Sequence, residues 1–154
     1  MRPDIEIDGE EVAASVHDYT HGINSDPVTH LAIVFSAMVH DSDHRGVSNA
    51  QLMLEEPAMG EFYKGKSIAE QNSLDLSWDL LMSAEYSELR VCMFGNTADM
   101  LRFRQVMVNV VLATDIFDTE LNSLRKNRWN EAFQEGQSCS NFNELRATIV
   151  IEHM

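Results

Sequence analysis

SDPVTHLAIVFSAMVHDSDHRGVSN, residues 25–49, runs from a helix start through an apolar stretch into a knot of His and Asp. Asp26 can accept from the orphan N–H groups of a first turn, and Pro27 suits the first helical position. Leu31, Val34, Phe35, Met38 and Val39 recur at helical spacing, so the reading is an amphipathic helix from Pro27 to about His44, with Gly46 as terminator. Beyond it lies His40-Asp41-Ser42-Asp43-His44, in which four of five side chains can ligate a metal. His40 and His44 share a helical face if the helix persists that far. Imidazole and carboxylate both donate to a divalent cation at about 2.0–2.2 Å. The alternative reading is a solvated helix end.

Helical signals continue on both sides. Ser48 opens a short helix with Gln51 as capping partner, ending by Pro57, and the stretch to Lys66 reads as loop with at most one turn. Ser67 and Glu70 form a second capping box, leading into a helix whose apolar face is Leu74, Trp78, Leu81 and Met82. Thr97 caps a helix with a buried stripe of Met100, Phe103, Met107, Val110 and Val111. Asp118 starts another, with Leu121, Leu124, Trp129 and Phe133 on one side. QEGQSCSN is a loop, and a last helix begins near Asn141 and carries Leu145, Ile149 and Val150. The expected fold class is all-α. Residues 1–26 read as an acidic, mostly irregular segment and 27–154 as a helical domain. Trp78, Trp129 and the methionines read as core.

Composition narrows the function. The chain has 154 residues, 44% hydrophobic, with 11 Lys+Arg against 25 Asp+Glu, a formal charge of −14. Such a surface repels phosphate backbones and anionic lipid, so no DNA, RNA or membrane partner is expected. An anionic substrate would need a metal or a local cation. The longest apolar run is far short of the ~20 residues of a bilayer span, and the opening MRPDIEIDGEE is no signal peptide. Two cysteines, Cys92 and Cys139, make no disulfide framework, which suits a reducing, cytoplasmic setting, either alone or as the cytosolic part of a membrane-anchored protein.

HDSDHRGVSN at 40–49 resembles the HDxDHxGxxN signature of class I 3′,5′-cyclic-nucleotide phosphodiesterase catalytic domains. KSIAEQNSLDLSWDLLM at 66–82 is similar to the helix that follows in that family, and VVLATD at 110–115 to its later LATD segment. AEQNS and NRW look most like versions from unicellular algae. The resemblance runs from about Asp18 to the last residue. It implies a compact all-α, HD-type fold and hydrolysis of cAMP or cGMP to 5′-monophosphates with zinc and magnesium (or manganese). His40 and Asp41 would be metal ligands, Asp41 bridging the two ions. His44, Glu70 and Thr114 would hold metal-bound waters. Asn49 would orient the motif's loop or meet a substrate phosphate, and Asp115 would neighbour that shell.

Each role has a plainer counterpart. Glu70 is explained as the capping partner of Ser67, and Thr114 can back-bond to its own helix. Asn49 fits an early helical turn. Asp115, at a helix C-terminus, opposes the macrodipole and needs a cationic or capping partner.

The family also uses elements with no counterpart here. No HNxxH precedes His40, so an upstream His ligand and the His that protonates the leaving oxygen are missing. The chain ends at Ile149-Val150-Ile151-Glu152-His153-Met154, before a later ligand Asp and the purine-clamping residues. It therefore reads as a middle portion cut at both ends, with weak metal occupancy, little turnover alone, and apolar faces open to association. His17-Asp18-Tyr19-Thr20-His21 is a poor substitute, lying before the Asp26-Pro27 start. A non-catalytic helical remnant and a different HD-type phosphohydrolase are the competing readings. Glu70 and LATD argue against the latter.

Overall fold

Asp26 does what its position predicts. In the computed structural model, which describes residues 9–133 and 146–151, its carboxylate accepts the Val28 N–H at 3.1 Å and the Thr29 hydroxyl, and pairs with Arg102. From there α2 runs Pro27–Val39. Downstream lie α3 (Asn49–Glu55), α4 (Pro57–Phe62), α5 (Ile68–Met82), α6 (Ser87–Met93), α7 (Thr97–Ala113) and α8 (Thr119–Ala132). Residues 146–151 are helical, and no strand occurs among the described residues. The expectation of an all-α chain holds.

Ahead of α2, the segment expected to be mostly irregular contains α1, Gly9–Tyr19, whose first turn takes in part of the acidic stretch expected to be a turn. Glu10 lies in its first turn, where a negative charge complements the helix dipole, so acidic sequence there is compatible with a helix.

Two hydrophobic clusters organise the rest. The larger joins Ala32 of α2, Leu74 and Leu81 of α5, and Phe103, Met107 and Val111 of α7. Phe103 is fully buried, with Phe35 and Phe94 at ring-centroid distances of 5.4 and 5.1 Å. Burying a side chain of that size contributes about 1.5–3 kcal/mol. The smaller cluster joins Leu52 of α3 to Ile68 and Ala69 at the start of α5, flanked by Val47, Met59 and Tyr63. Gly60 of α4 sits so close to α3 that a Cβ there would lie 2.8 Å from Met53 Cγ.

Several faces turn out differently from the sequence reading. In α2 the buried positions are Thr29, Ala32 and Ser36, while Leu31, Val34 and Met38 are exposed. The helix is apolar almost all round, so periodicity alone cannot choose its inner face. Packing selects the small residues, which let α7 approach closely. The helix also stops at Val39, short of His44. Met82, Leu124 and Trp129 are exposed too, so Trp129 is not core. In α8 the buried residue is Ala132, and Trp129 packs beside Phe133 at 4.6 Å. Trp78 is half-buried under Arg104, whose guanidinium lies 5.0 Å from the ring.

Asn96, not Thr97, caps α7, accepting the Asp99 N–H at 2.9 Å. Asp118 caps α8 as expected. The region 83–96, which carries no strong sequence signal, holds α6. QEGQSCSN, Asn141, Leu145, Cys139 and His153 lie outside the described residues.

Candidate metal and substrate cleft

The end of α2, the start of α3, the start of α5 and the α7–α8 turn converge on one cleft of about 470 Å³. His40, Asp41, His44, Asn49, Glu70, Thr114 and Asp115 all line it, with Val47, Ser48, Ile116 and Phe117. Residues up to 75 positions apart in sequence thus share one wall. No Lys or Arg lines this cleft among the described residues.

His40 closes α2. Its Nδ1–H donates to the Ala37 carbonyl at 3.0 Å, so the neutral ring presents a lone pair at Nε2. That Nε2 lies 3.2 Å from Asp41 Oδ2. Two acceptors face each other, an arrangement that calls for a shared proton or a cation. A backbone carbonyl holding the far nitrogen is how metal-ligating histidines are oriented. Both side chains are open to solvent, at 37% and 68% exposure. The donor chemistry fits a divalent cation. No group of three or more His, Cys, Asp or Glu suited to a metal occurs among the described residues, and two donors are half of zinc's usual four.

The loop after the doublet is fixed by local bonds. Gly46 N–H donates to His44 Nδ1 at 2.9 Å, which assigns the proton of the neutral ring to Nε2. Ser73 Oγ of α5 donates to the Ser42 carbonyl at 2.8 Å. Asp43 takes a positive φ of 61°, tolerable for an Asp in a tight turn.

Asp115 is the buried counterpart. Its Oδ2 accepts from Ser67 Oγ at 2.7 Å and Asn49 Nδ2 at 3.3 Å. Its Oδ1 accepts the Phe117 and Asp118 N–H groups at 3.1 and 3.2 Å. The partner that Asp115 was expected to need is therefore a set of four donors. Arg125, bonded to the Leu112 and Ala113 carbonyls, serves the end of α7.

The Ser67–Glu70 capping box does not form. Ser67 sits in the left-handed region at φ 38°, and its hydroxyl is spent on Asp115. Asn49 replaces it: Oδ1 accepts the Ala69 N–H at 2.9 Å while Nδ2 donates to Glu70 Oε2 at 2.9 Å. Thr114 Oγ1 donates to the Val111 carbonyl at 2.7 Å, the plainer of its two readings, with its lone pairs still available at the cleft wall. The His17–His21 segment lies in a separate groove with Arg102, away from the doublet.

Sequence reasoning does not single out Ser67 as a partner of Asp115, nor Ile116 and Phe117 as cleft residues. Their signal was two bulky apolar residues in a turn between a helix end and the Asp118 cap.

The sequence model of the 3′,5′-cyclic nucleotide phosphodiesterases matches residues 22–151. The chain belongs to that family. Among similar proteins, probable 3′,5′-cyclic-AMP phosphodiesterase pde-4 of Caenorhabditis elegans is 31% identical over 86 residues, 56% of this chain and 12% of that protein. The dual specificity calcium/calmodulin-dependent 3′,5′-cyclic nucleotide phosphodiesterase 1C of Homo sapiens is 29% identical over 86 residues, with the same coverage of 56% and 12%. The phosphodiesterase domain of the RhoPDE fusion protein from the choanoflagellate Salpingoeca rosetta superposes with a TM-score of 0.63 at 22% identity, covering 82% of this chain and 39% of that one. This likeness gives the phosphodiesterase fold. The matched segments are 12% of the length of each of these two curated relatives, so this chain corresponds to a part of them.

Proposed function

We propose that these residues serve the hydrolysis of 3′,5′-cyclic nucleotides, cAMP or cGMP, with His40 and Asp41 as two ligands of a divalent metal pair. The observation that carries the reading is the convergence, in a member of this family, of His40, Asp41, His44, Asn49, Glu70 and Thr114 on one cleft. The lining supplies no cationic side chain for an anionic phosphate, so a dication is the complement the electrostatics require. Zinc with magnesium or manganese, held there, would supply Lewis acidity at a phosphoryl oxygen. The chain's own groups have defined tasks. Asp41 contributes the anionic donor. His44 Nε2, Glu70 and Thr114 hold water at the wall. Asn49 keeps Glu70 in place. The compartment we propose is the cytosol, in line with the cysteine usage; among the described residues no helix is long and apolar enough to cross a membrane.

The test is a chimera in which residues 22–151 replace the matching segment of the choanoflagellate phosphodiesterase domain. It should hydrolyse cyclic nucleotide, and Asp41→Ala should abolish turnover. A folded chimera whose rate is the same with and without Asp41 would remove the metal role. A second reading, a helical module without turnover, is favoured by the two-donor set among the described residues. It predicts far less than one zinc per chain by elemental analysis, and near-stoichiometric zinc with turnover would defeat it.

A further inference from the structure

The solvent side of α2 carries an apolar seam that ends on the His40–Asp41 doublet. Leu31, Val34 and Met38 are 39%, 59% and 78% exposed. Asp41, also exposed, follows Met38 by three residues in the turn that closes the helix. Steps of three, four and three are those by which one helix packs along a second. From Pro27 to Val39 the helix holds no Asp, Glu, Lys or Arg, although the chain as a whole has a formal charge of −14. The seam is thus a surface on which a second copy meets no like charge until it reaches Asp41. Three apolar side chains fall well short of the roughly 1,200–2,000 Å² that a stable interface buries, so the seam alone does not hold two copies together.

The doublet at its end supplies what is missing. His40 Nε2 and Asp41 Oδ2 lie 3.2 Å apart, two open donors where zinc usually takes four. A two-fold axis along the helix brings the same residues of two copies together, so two doublets make two imidazoles and two carboxylates. An antiparallel pairing leaves the doublets at opposite ends of the seam and completes neither. We propose that two copies of this chain pair in parallel along α2 and close a shared zinc site, with His40 and Asp41 from each. The inference rests on the metal-ligand reading of the doublet and adds the source of the other two ligands. The ion also offsets the repulsion between the two Asp41 carboxylates, so the copies part without it. Four protein ligands leave zinc no open position for water, which makes the pair a closed, resting form of the site.

Sedimentation velocity of the full chain, in EDTA and then with zinc, reads the mass, and elemental analysis after dialysis reads the metal. Wild type should be a monomer in EDTA and a dimer with one zinc per two chains when loaded. His40→Ala and Asp41→Ala should stay monomeric with zinc. Val34→Glu keeps every ligand but puts a charge on the seam. It should weaken the zinc dimer at least roughly tenfold, while its melting temperature in EDTA matches wild type because Val34 faces solvent. A monomer holding one zinc, its ligand set completed within the same chain, overturns this inference and leaves the metal role standing. A dimer that forms equally in EDTA, or is as strong in Asp41→Ala or Val34→Glu as in wild type, overturns it too. Wild type that takes up no zinc sinks the inference together with the metal role.

Discussion

The two carboxylates at 41 and 115 stand on one cleft and are treated in opposite ways. The Asp41 side chain is 68% exposed, and among the described residues its carboxylate pairs with the neighbouring His40. Asp115 is 5% exposed and collects four donors from three separate parts of the chain. Burying a carboxylate is costly unless donors surround it, so Asp115 is retained because the cleft's walls are tied together through it. An exposed, unsaturated Asp adds little to folding. What it retains is free coordination capacity, which is the property a ligand needs. The contrast separates a carboxylate that ties the cleft together from one left open to solvent on it.

The largest effect should come from the buried side. Asp115→Ala strands the Ser67 hydroxyl, part of the Asn49 amide and two backbone N–H groups. It should cost about 3 kcal/mol or more in urea unfolding; a loss below about 1 kcal/mol would mean water replaces the carboxylate and the knot is not structural. Asp26→Ala removes a helix cap and the Arg102 partner, with an expected loss of about 1–2 kcal/mol by the same measurement.

Tyr63 is an intermediate case. Burial, then its hydrogen bond to Asp75 at 3.1 Å, push its pKa from 10.0 up to about 12. A raised phenol pKa favours the neutral form in the fold. The stability this lends is full below pH 10 and is lost between pH 10 and about 12. Because the hydroxyl and its bond to Asp75 lie at the exposed side, screening holds the effect under about 1 kcal/mol. Tyr63→Phe should flatten that alkaline decline in thermal melts followed against pH.

Smallest for stability is Asp41→Ala, within about 0.5 kcal/mol of wild type. Its zinc uptake, followed by dialysis and elemental analysis, should nonetheless fall. A large destabilisation would place Asp41 among the builders and erase the distinction.

Much of this was legible in the sequence, for reasons visible in particular residues. Asp26, Ser48 and Asp118 are local caps, and local bonds are read from neighbours. Phe103, Met107 and Val111 show one clear stripe, because α7 has polar residues opposite them. In α2 the stripe failed, since apolar residues surround the helix and only the approach of α7 selects Ala32 and Ser36. Ser67 failed differently. Its best local partner was Glu70, yet a left-handed backbone and a carboxylate 48 positions away claim its hydroxyl. Long-range polar pairing leaves no periodic trace. For the same reason the residues expected to hold a metal and its waters fall together on one cleft, while the bonds among them had to be seen.

The division into two apolar clusters has a dynamic consequence. The cluster of Leu52, Ile68 and Ala69 has three buried residues against six in the α2–α5–α7 cluster. Amide hydrogen exchange should therefore release α3 and α4 as an early-opening unit while the larger cluster stays closed. Residues 40–48 bridge the slow unit and the fast one, and the Ser73 bond to the Ser42 carbonyl ties the middle of that loop to the slow unit.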